Sequence, residues 1–453
     1  MNNLRHYVED KILPFVETPG QYVGEEWNSI KKEDNDIDVT IALAFPDTYA
    51  IGMSHMGMQI LYGLLNERKD TACERVFAPW YDMETALREH NIPLYSLETF
   101  RPLKEFDIIG FSLQYEMSFT NVLNMLDLAN IPLKSKERAE NDPLIIAGGP
   151  LALTPEPISD FIDIFFLGDG EEKLPQFIEY FKELKNAENL SREEKILSLV
   201  KKMNNLYAPS LYDVTYDPDS VINKIEPNRP GVPPVVHGAS VSNLGKAYFP
   251  EKPIIPYVQT VFDRISIEVM RGCTQGCRFC QAGMTKRPNR IRSVDKILNM
   301  SSDCYRNTGH DEISLGALSI SDYPHLKDLM TRMGETFDQK KVNIAFPSLR
   351  VSDQLTGLPS LLNTVRKSGI TLAPEAAGDQ DMPLSKGAVK QPTPSQKIKT
   401  QAAQPKPQQV DSGGRKGYEK IDQAKTIEVM AKLMNLDPDG RDKIKSIIDK
   451  AGK

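Results

Sequence analysis

Apolar runs alternate with helix-like stretches through the first half of the chain. The runs DVTIALAFP (38–46), FDIIGFSL (106–113), PLIIAGGP (143–150) and FIDIFFLG (161–168) have the length and composition of buried β-strands. Between them, MGMQILYGLLNER and SFTNVLNMLDLA repeat apolar residues at helical spacing. This alternation predicts an α/β fold, with a doubly wound, Rossmann-like parallel sheet over residues 38–190.

Glycines follow two of these predicted strands. Gly148 and Gly149 end the third strand, and Gly168 and Gly170 follow the fourth. Loops at the carboxyl ends of parallel strands are where such sheets bind ligands. These glycines are therefore candidate ligand-loop residues.

The second half repeats the alternation with a different spacing. RISIEVM, DEISLGALSI, KVNIAFPSL and GITLAPEA are strand candidates, and helical stretches such as SVDKILNMSSDCYRN and YPHLKDLMTRMGETF separate them. The pattern predicts part of a β/α barrel over residues 262–388. Because about four barrel strands are visible in the pattern, we expect a barrel that is truncated.

The remaining segments lack this alternation. Residues 1–37 form a leader with a short helical pattern, and residues 191–261 are a proline-rich connecting region with room for a small β element. Residues 389–416 are rich in Pro, Gln, Lys and Ser, which predicts a disordered linker. Residues 417–453 recover a helical pattern and predict a short helical tail.

Composition and charge narrow the function classes. The net charge of −7 and the pI near 5.6 give no basic field for nucleic acid. The sequence has no apolar run near the ~20 residues that cross a bilayer. The charged start MNNLRHYVEDKILPF has no signal-peptide core. We therefore expect a cytoplasmic protein without a membrane partner.

Three of the five cysteines lie within eight positions. Cys273, Cys277 and Cys280 are spaced C-x3-C-x2-C, whereas Cys73 and Cys304 are distant. Thiolates are ligands for iron–sulfur clusters and for zinc. A structural zinc site uses four ligands, whereas three ligands leave one metal position open. A small zinc loop or incidental thiols remain the alternatives.

The cysteine motif, with Phe279 before its last cysteine and a predicted strand before its first, resembles that of the radical S-adenosylmethionine (radical SAM) superfamily. The longer stretches DRISIEVMRGCTQGCRFCQAG, SISDYPHL, FPSLRV and LAPEA resemble one uncharacterised family within it. That family has an N-terminal cobalamin-binding-like domain, and FPDTYAIGMSHMGMQILYGLLN, RVFAPW, AGGP and FLGDGEE match it upstream. The resemblance covers residues 5–389 and includes no established substrate.

The resemblance implies a mechanism. The three cysteines would hold a [4Fe–4S] cluster, and S-adenosylmethionine would bind its fourth iron through its amino and carboxylate groups. One electron would then cleave the sulfonium to methionine and a 5′-deoxyadenosyl radical, which abstracts hydrogen from the substrate. Phe279 would contact the adenine side, and an electron donor such as flavodoxin or ferredoxin is the implied partner.

Four more residues are cofactor-binding candidates because they end barrel strands. Ser319 and Ser321 follow the second strand, and Arg350 ends the third, where a cation could meet the carboxylate of S-adenosylmethionine. Glu375 ends the fourth strand and could accept hydrogen bonds from ribose hydroxyls. Ordinary loop caps for the serines and a surface ion pair for the arginine remain open.

Cobalamin is a candidate second cofactor of the first domain. Cobalamin domains that replace the lower axial ligand use D-x-H-x-x-G, and here His55 has the wrong spacing from Asp47 and Gly57. Cobalamin could still bind without histidine coordination, at a loop containing His55, Gly148, Gly149 and Gly168. A loop or cap role for His55, and a scaffold that binds no cobalamin, remain open.

Three functions compete. The first is a radical SAM enzyme, cobalamin-assisted and methylating in one version. A methylthiotransferase-like RNA modifier would need three N-terminal cysteines, and this N-terminal half has Cys73 alone. The second is a catalytically inactive iron–sulfur protein with an incomplete barrel that acts as a binding module. A zinc-binding structural module is the third.

Overall fold

In the computed structural model the described residues belong to one compact unit. The structure describes residues 2–32, 36–187, 190–219, 221–346, 349–350 and 372–373, with the backbone alone at 2–3, 349–350 and 372–373. The predicted linker over 389–416, the predicted tail over 417–453 and Glu375 lie outside the described residues.

A six-stranded sheet forms the centre of the first half. Its order is β2-β1-β3-β4-β5-β6, in which β1 to β5 are parallel and β6 is antiparallel to β5. The doubly wound α/β fold predicted from the alternating pattern is therefore confirmed. The strands are β1 Val39–Phe45, β2 Thr71–Phe77, β3 Ile108–Ser112, β4 Leu144–Gly148, β5 Ile164–Phe166 and β6 Leu206–Tyr207.

Seven helices accompany this sheet. Apolar residues at helical spacing bury one face of each amphipathic helix, as Val122, Met125 and Leu126 do in α5. The helix α3 packs beside β1 and β2. The helices are α1 Asn2–Lys11, α2 Tyr49–Gly52, α3 Met56–Asn66, α4 Tyr81–Glu89, α5 Phe119–Leu128, α6 Lys173–Lys185 and α7 Arg192–Lys202.

The strand β2 was absent from the sequence prediction. All seven of its residues are buried, including Glu74 and Arg75 in its centre. The Glu74 carboxylate accepts hydrogen bonds from Ser96 Oγ at 2.6 Å and Thr99 Oγ1 at 2.7 Å. Two adjacent charged residues interrupt the apolar pattern by which a buried strand is predicted. In the fold, hydrogen-bonding and ionic partners compensate both charges.

The connecting region contains the expected small β element. Strands β7 Tyr212–Tyr216 and β8 Ile222–Pro227 form an antiparallel pair, while β6 joins the large sheet. The helix α7 begins with a capping box, in which Ser191 and Glu194 each accept the other's backbone N–H. The segment boundaries at 190 and 261 stay predictions.

The second half forms a β/α arrangement with three parallel neighbours, in the order β13-β12-β9. The short β14 and β15 pair in parallel, and β10 and β11 pair antiparallel. All four predicted barrel strands are present, which is consistent with a partial barrel. The elements are β9 Ile265–Glu268, β10 Met270–Arg271, α8 Gln281–Thr285, β11 Arg290–Ile291, α9 Val294–Thr308, β12 Glu312–Gly316, α10 Leu326–Phe337, β13 Asn343–Ala345, β14 Leu349–Arg350 and β15 Leu372–Ala373.

Two hydrophobic cores underlie these sheets. The larger core packs around the six-stranded sheet and includes Val8 and Ile12 from the N-terminal segment. The second core packs around β9, β12 and β13, and it includes Ile60 from α3. The two halves therefore share apolar packing through α3. None of the helices in the described ranges is long and apolar enough for a bilayer crossing.

Candidate functional site

A cavity of about 540 Å³ lies at the carboxyl ends of the strands of the large sheet. Leu43 of β1 and residues 110–112 of β3 contribute to its lining. The strand β1 lies between β2 and β3, so the winding of the sheet reverses between β1 and β3. Doubly wound sheets bind ligands at this switch point.

The second half of the chain supplies the opposite wall. The same cavity is lined by Glu268 at the end of β9, by residues 270–272, and by residues 316–318 at the end of β12 and just after it. Barrel enzymes hold their reacting groups at the carboxyl ends of the strands. The cavity is therefore bounded by the ligand-binding edges of both sheets.

The four candidate cobalamin-loop residues, His55, Gly148, Gly149 and Gly168, all line this cavity. Gly168 has a φ of +91°, and a Cβ there would lie 2.1 Å from the backbone oxygen of Ala239. This loop after β5 therefore requires glycine. The structure brings together residues that lie more than 100 positions apart in sequence.

His55 lies at the start of α3, with its ring 5.3 Å from that of Phe45 between centroids. Its side chain makes no capping hydrogen bond. The Nδ1 atom is buried and has no hydrogen-bond partner among the described residues. Burial lowers the pKa of His55, so the imidazole is held in its neutral form. A neutral imidazole with a free ring nitrogen can accept a hydrogen bond or ligate a metal.

The three clustered cysteines lie on a loop between β10 and β11. These two strands pair antiparallel and close residues 272–289 into a loop. Cys273, Cys277 and Cys280 are partly exposed, and Phe279 is 86% exposed. The loop begins at the cavity wall, because Gly272 is a lining residue.

Two of the three sulfurs accept backbone hydrogen bonds. Gly283 N donates to Cys280 Sγ at 3.3 Å, and Gln275 N donates to Cys273 Sγ at 3.5 Å. Such bonds stabilise thiolates and tune iron–sulfur clusters, so this donor set fits a cluster held by three cysteines. In the described ranges, no group of three or more His, Cys, Asp or Glu side chains is arranged to hold a metal ion.

The other two cysteines are core residues. Cys73 and Cys304 are buried at 1% exposure each. Burial raises the pKa of Cys304 to about 12 and raises that of Cys73 well above its ordinary value. Both thiols stay protonated at neutral pH, which makes them poor metal ligands.

The remaining candidates lie beside the cysteine loop or outside the described side chains. Ser319 and Ser321 are buried after β12, with their hydroxyl oxygens 3.3 Å apart. Their turn meets the cysteine loop, because Gln275 Nε2 donates to Asp322 Oδ2 at 2.8 Å. The backbone of Arg350 lies in β14, and its side chain, like Glu375, is outside the description.

Charged groups occupy the barrel side of the cavity. Arg271 Nε lies 2.8 Å from Glu268 Oε1, and Arg271 Nη2 lies 2.6 Å from Glu171 Oε1. Burial disfavours the charged guanidinium, yet these two carboxylates raise the pKa of Arg271 above its ordinary value. Arg292, fully buried behind this pair, donates from Nε to the backbone oxygen of Glu268 at 3.0 Å.

Comparison with known proteins shows what the first half of the chain is similar to. Residues 57–209 match the family described as "Radical SAM proteins, N-terminal". This match covers about a third of the chain. The match includes β2 to β6 of the six-stranded sheet and the cavity-lining residues Gly148, Gly149 and Gly168. It does not include β1 or His55.

One curated relative extends the similarity into the second half. The chain is 23% identical over 346 residues to the "Uncharacterized protein MJ0966" of Methanocaldococcus jannaschii, across 75% of this chain. The chain spans 61% of the length of that relative. The resemblance to an uncharacterised family seen in the sequence is thereby confirmed.

Two solved structures of TsrM from Kitasatospora setae, a radical S-adenosylmethionine methyltransferase, are also similar. One carries tryptophan substrate and a SAM analog; it covers 71% of this chain and 57% of its own, with 12% identity and a TM-score of 0.45. The other carries cobalamin and a [4Fe-4S] cluster; it covers 71% and 59%, with 11% identity and a TM-score of 0.44.

Sequence reasoning missed the ionic contacts that surround the loop. No role was predicted for the acids of the motif GDGEE (168–172), yet Asp169 and Glu171 are buried against arginines. A usable signal was present in MRGC and NRIR, where arginines flank the cysteine loop on both sides.

Proposed function

We propose that this protein is a radical SAM enzyme that cleaves S-adenosylmethionine reductively and acts on a substrate held in the cavity. When bound, a [4Fe–4S] cluster supplies the electron that converts S-adenosylmethionine to methionine and a 5′-deoxyadenosyl radical. The observation that carries the proposal is the position of the cysteine loop, which leaves the cavity wall at Gly272. The substrate remains unassigned.

The residues of the cysteine loop have different roles in this proposal. Cys273, Cys277 and Cys280 provide the three thiolates and leave one metal position for S-adenosylmethionine. Phe279 offers an exposed aromatic face next to the last cysteine, suited to packing on adenine. Gln275 ties the loop to the turn that follows β12 and so limits its movement.

Four residues complete the proposed cofactor site. Ser319 and Ser321 supply hydroxyls on the turn beside the cysteine loop. For Arg350 we propose a role with the carboxylate of S-adenosylmethionine, and for Glu375 one with its ribose hydroxyls. We also propose a flavodoxin or ferredoxin as the electron donor.

Electron paramagnetic resonance tests the cofactor site. The full chain is reconstituted anaerobically with iron and sulfide, reduced, and measured with and without S-adenosylmethionine. We expect one cluster per chain and a spectrum that changes when S-adenosylmethionine is added. A bound cluster whose spectrum does not respond would indicate an inactive iron–sulfur protein, and zinc in place of iron would indicate a structural module.

For the cavity we propose cobalamin as a second ligand. The volume of about 540 Å³ falls within the roughly 300–1,000 Å³ that ligand pockets commonly have. Apolar residues such as Leu43, Phe111 and Ile146 contribute to the lining, and the neutral His55 is also a lining residue. These features suit the apolar face of a flat ring system whose polar edge groups meet the charged residues beside the cysteine loop.

The Gly148→Leu variant tests the cobalamin proposal. A Cβ at Gly148 meets one atom within 4 Å, Phe166 Cβ at 3.8 Å, so a leucine can extend into the cavity without displacing backbone. Because the leucine side chain would occupy space that the ligand needs, we expect cobalamin affinity to fall about tenfold or more while iron content stays unchanged.

The matched control is Gly334→Leu in α10, where an added Cβ meets nothing within 4 Å. Equilibrium dialysis with cobalamin measures both variants against the unmodified chain. Equal affinity in all three proteins would contradict cobalamin binding in this cavity. Absence of binding by the unmodified chain would reject cobalamin and leave the iron–sulfur proposal intact.

A further inference from the structure

The cysteine loop has an arginine in each of its two stems. Arg271 lies in β10 and Arg290 lies in β11, and the two are direct partners in the antiparallel register. Arg271 precedes Cys273 by two positions. Any change in where these stems lie therefore moves the first cysteine.

Both arginines are held by carboxylates from the opposite wall of the cavity. Asp169 Oδ1 lies 3.2 Å from Arg271 Nη1, and Asp169 Oδ2 accepts from Arg290 Nη1. Glu171 Oε1 binds Arg271 Nη2 at 2.6 Å. One short motif after β5 thus contacts both stems of the loop.

Asp169 is itself fixed by backbone contacts. Its Oδ2 accepts from Val241 N at 3.0 Å, and its own N–H donates to Ala239 O at 2.8 Å. Burial opposes ionisation, yet Arg271 and Arg290 lower the pKa of Asp169 below its ordinary value, so it is a carboxylate at neutral pH. A charged, immobile acceptor can define the position of the arginines that bind it.

We propose that Asp169 and Glu171 are positioning residues for the iron–sulfur cluster: they hold both stems of the cysteine loop from the six-stranded sheet. This inference rests on the proposed function, since it concerns the cluster that the cysteines would bind. The same two acids line the cavity together with Arg271 and Gly272. A ligand in the cavity touches both sides of this contact and so reaches the loop directly.

The test uses the full chain with the Asp169→Asn, Glu171→Gln and double variants. Glu172→Gln is the matched control, because Glu172 is the exposed neighbour in the same motif. Hydrogen exchange of the loop peptide 273–287 is measured before reconstitution. Iron content and the resonance spectrum of the reduced cluster, with and without S-adenosylmethionine, are measured afterwards.

Hydrogen exchange of the loop should be about tenfold faster or more in the double variant, because the charge-assisted bonds that hold both stems are weakened. Its resonance response to S-adenosylmethionine should broaden or disappear, whereas the Glu172→Gln chain should match the unmodified one. A merely structural role would leave the spectrum of the folded, cluster-bearing fraction unchanged.

Two results distinguish a failure of the positioning role from a failure of the proposed function. Unchanged loop exchange and an unchanged spectrum in the folded double variant would overturn the positioning role. If the unmodified chain binds no cluster at all, the proposed function fails, and the exchange data still report whether the two acids order the loop.

Discussion

The Cys277→Ala variant is expected to lose its iron–sulfur cluster. Two thiolates cannot replace three, and even changes in outer-shell partners of metal sites cost about 10–100-fold in affinity. We therefore expect iron and acid-labile sulfide per chain to fall at least tenfold after anaerobic reconstitution. The fold should persist, because Cys277 lies on a partly exposed loop outside both hydrophobic cores.

The control for this variant is Cys304→Ala. Cys304 is buried in α9, its thiol donates to Pro250 O at 3.4 Å, and its raised pKa keeps it protonated. We expect this variant to bind as much iron as the unmodified chain. Iron retained in Cys277→Ala, or lost equally in both variants, would contradict the assignment of the ligands.

The Arg75→Met variant is expected to show the largest loss of stability. Arg75 Nη2 lies 2.6 Å from Glu26 Oε2 and Arg75 Nε lies 2.6 Å from Glu98 Oε1, with all three side chains at most 2% exposed. Removing the cation leaves two buried carboxylates without a countercharge, which costs about 3–5 kcal/mol. That is a large part of the roughly 5–15 kcal/mol that stabilises a typical protein.

This loss should depend on pH. Burial raises the pKa of a carboxyl group, and Arg75 opposes that rise at both Glu26 and Glu98. Without Arg75 the native state binds protons more tightly than the unfolded state, so its stability falls as pH rises. The deficit relative to the unmodified chain should therefore be largest near pH 8 and shrink towards pH 5.

Urea unfolding at several pH values measures both effects. The matched control is Arg88→Met, because Arg88 is 44% exposed and pairs with Glu84 and Asp127 at the surface. Surface pairs are worth about 0–1 kcal/mol, so the control should differ little from the unmodified chain. Similar losses in the two variants, or a deficit independent of pH, would contradict the account of the buried triad.

Much of the architecture follows from patterns that the sequence displays openly. The strands β1, β3, β4 and β5 are almost entirely apolar, and parallel strands buried on both faces have this composition. The cysteine loop could be predicted in the same way, because the spacing of its three cysteines and the strand before them are local features of the sequence. These parts needed no knowledge of distant contacts.

The missed features all depend on partners far away in sequence. The strand β2 contains Glu74 and Arg75, and it is stable because Ser96, Glu98 and Glu26 compensate these charges. The contacts of GDGEE with the stems of the cysteine loop join residues about 100 or more positions apart. No local pattern reveals a charge whose partner is supplied by another element.

The candidate cobalamin loop lies between these two cases. Gly148, Gly149 and Gly168 were identified as loop glycines from their places after strands, and the topology then predicts that they meet at one edge. The structure gathers them with His55 around one cavity. The sequence could not predict that the cysteine loop starts at the opposite wall of this cavity, because that depends on how the two sheets pack through α3.

The most direct test of the account is the formation of 5′-deoxyadenosine. The full chain, reconstituted anaerobically, is incubated with a strong reductant and S-adenosylmethionine, and the products are separated by chromatography. We predict that 5′-deoxyadenosine and methionine accumulate in equal amounts and that both are absent from the Cys277→Ala chain. A chain that carries its cluster yet forms no 5′-deoxyadenosine above that background would contradict the central claim.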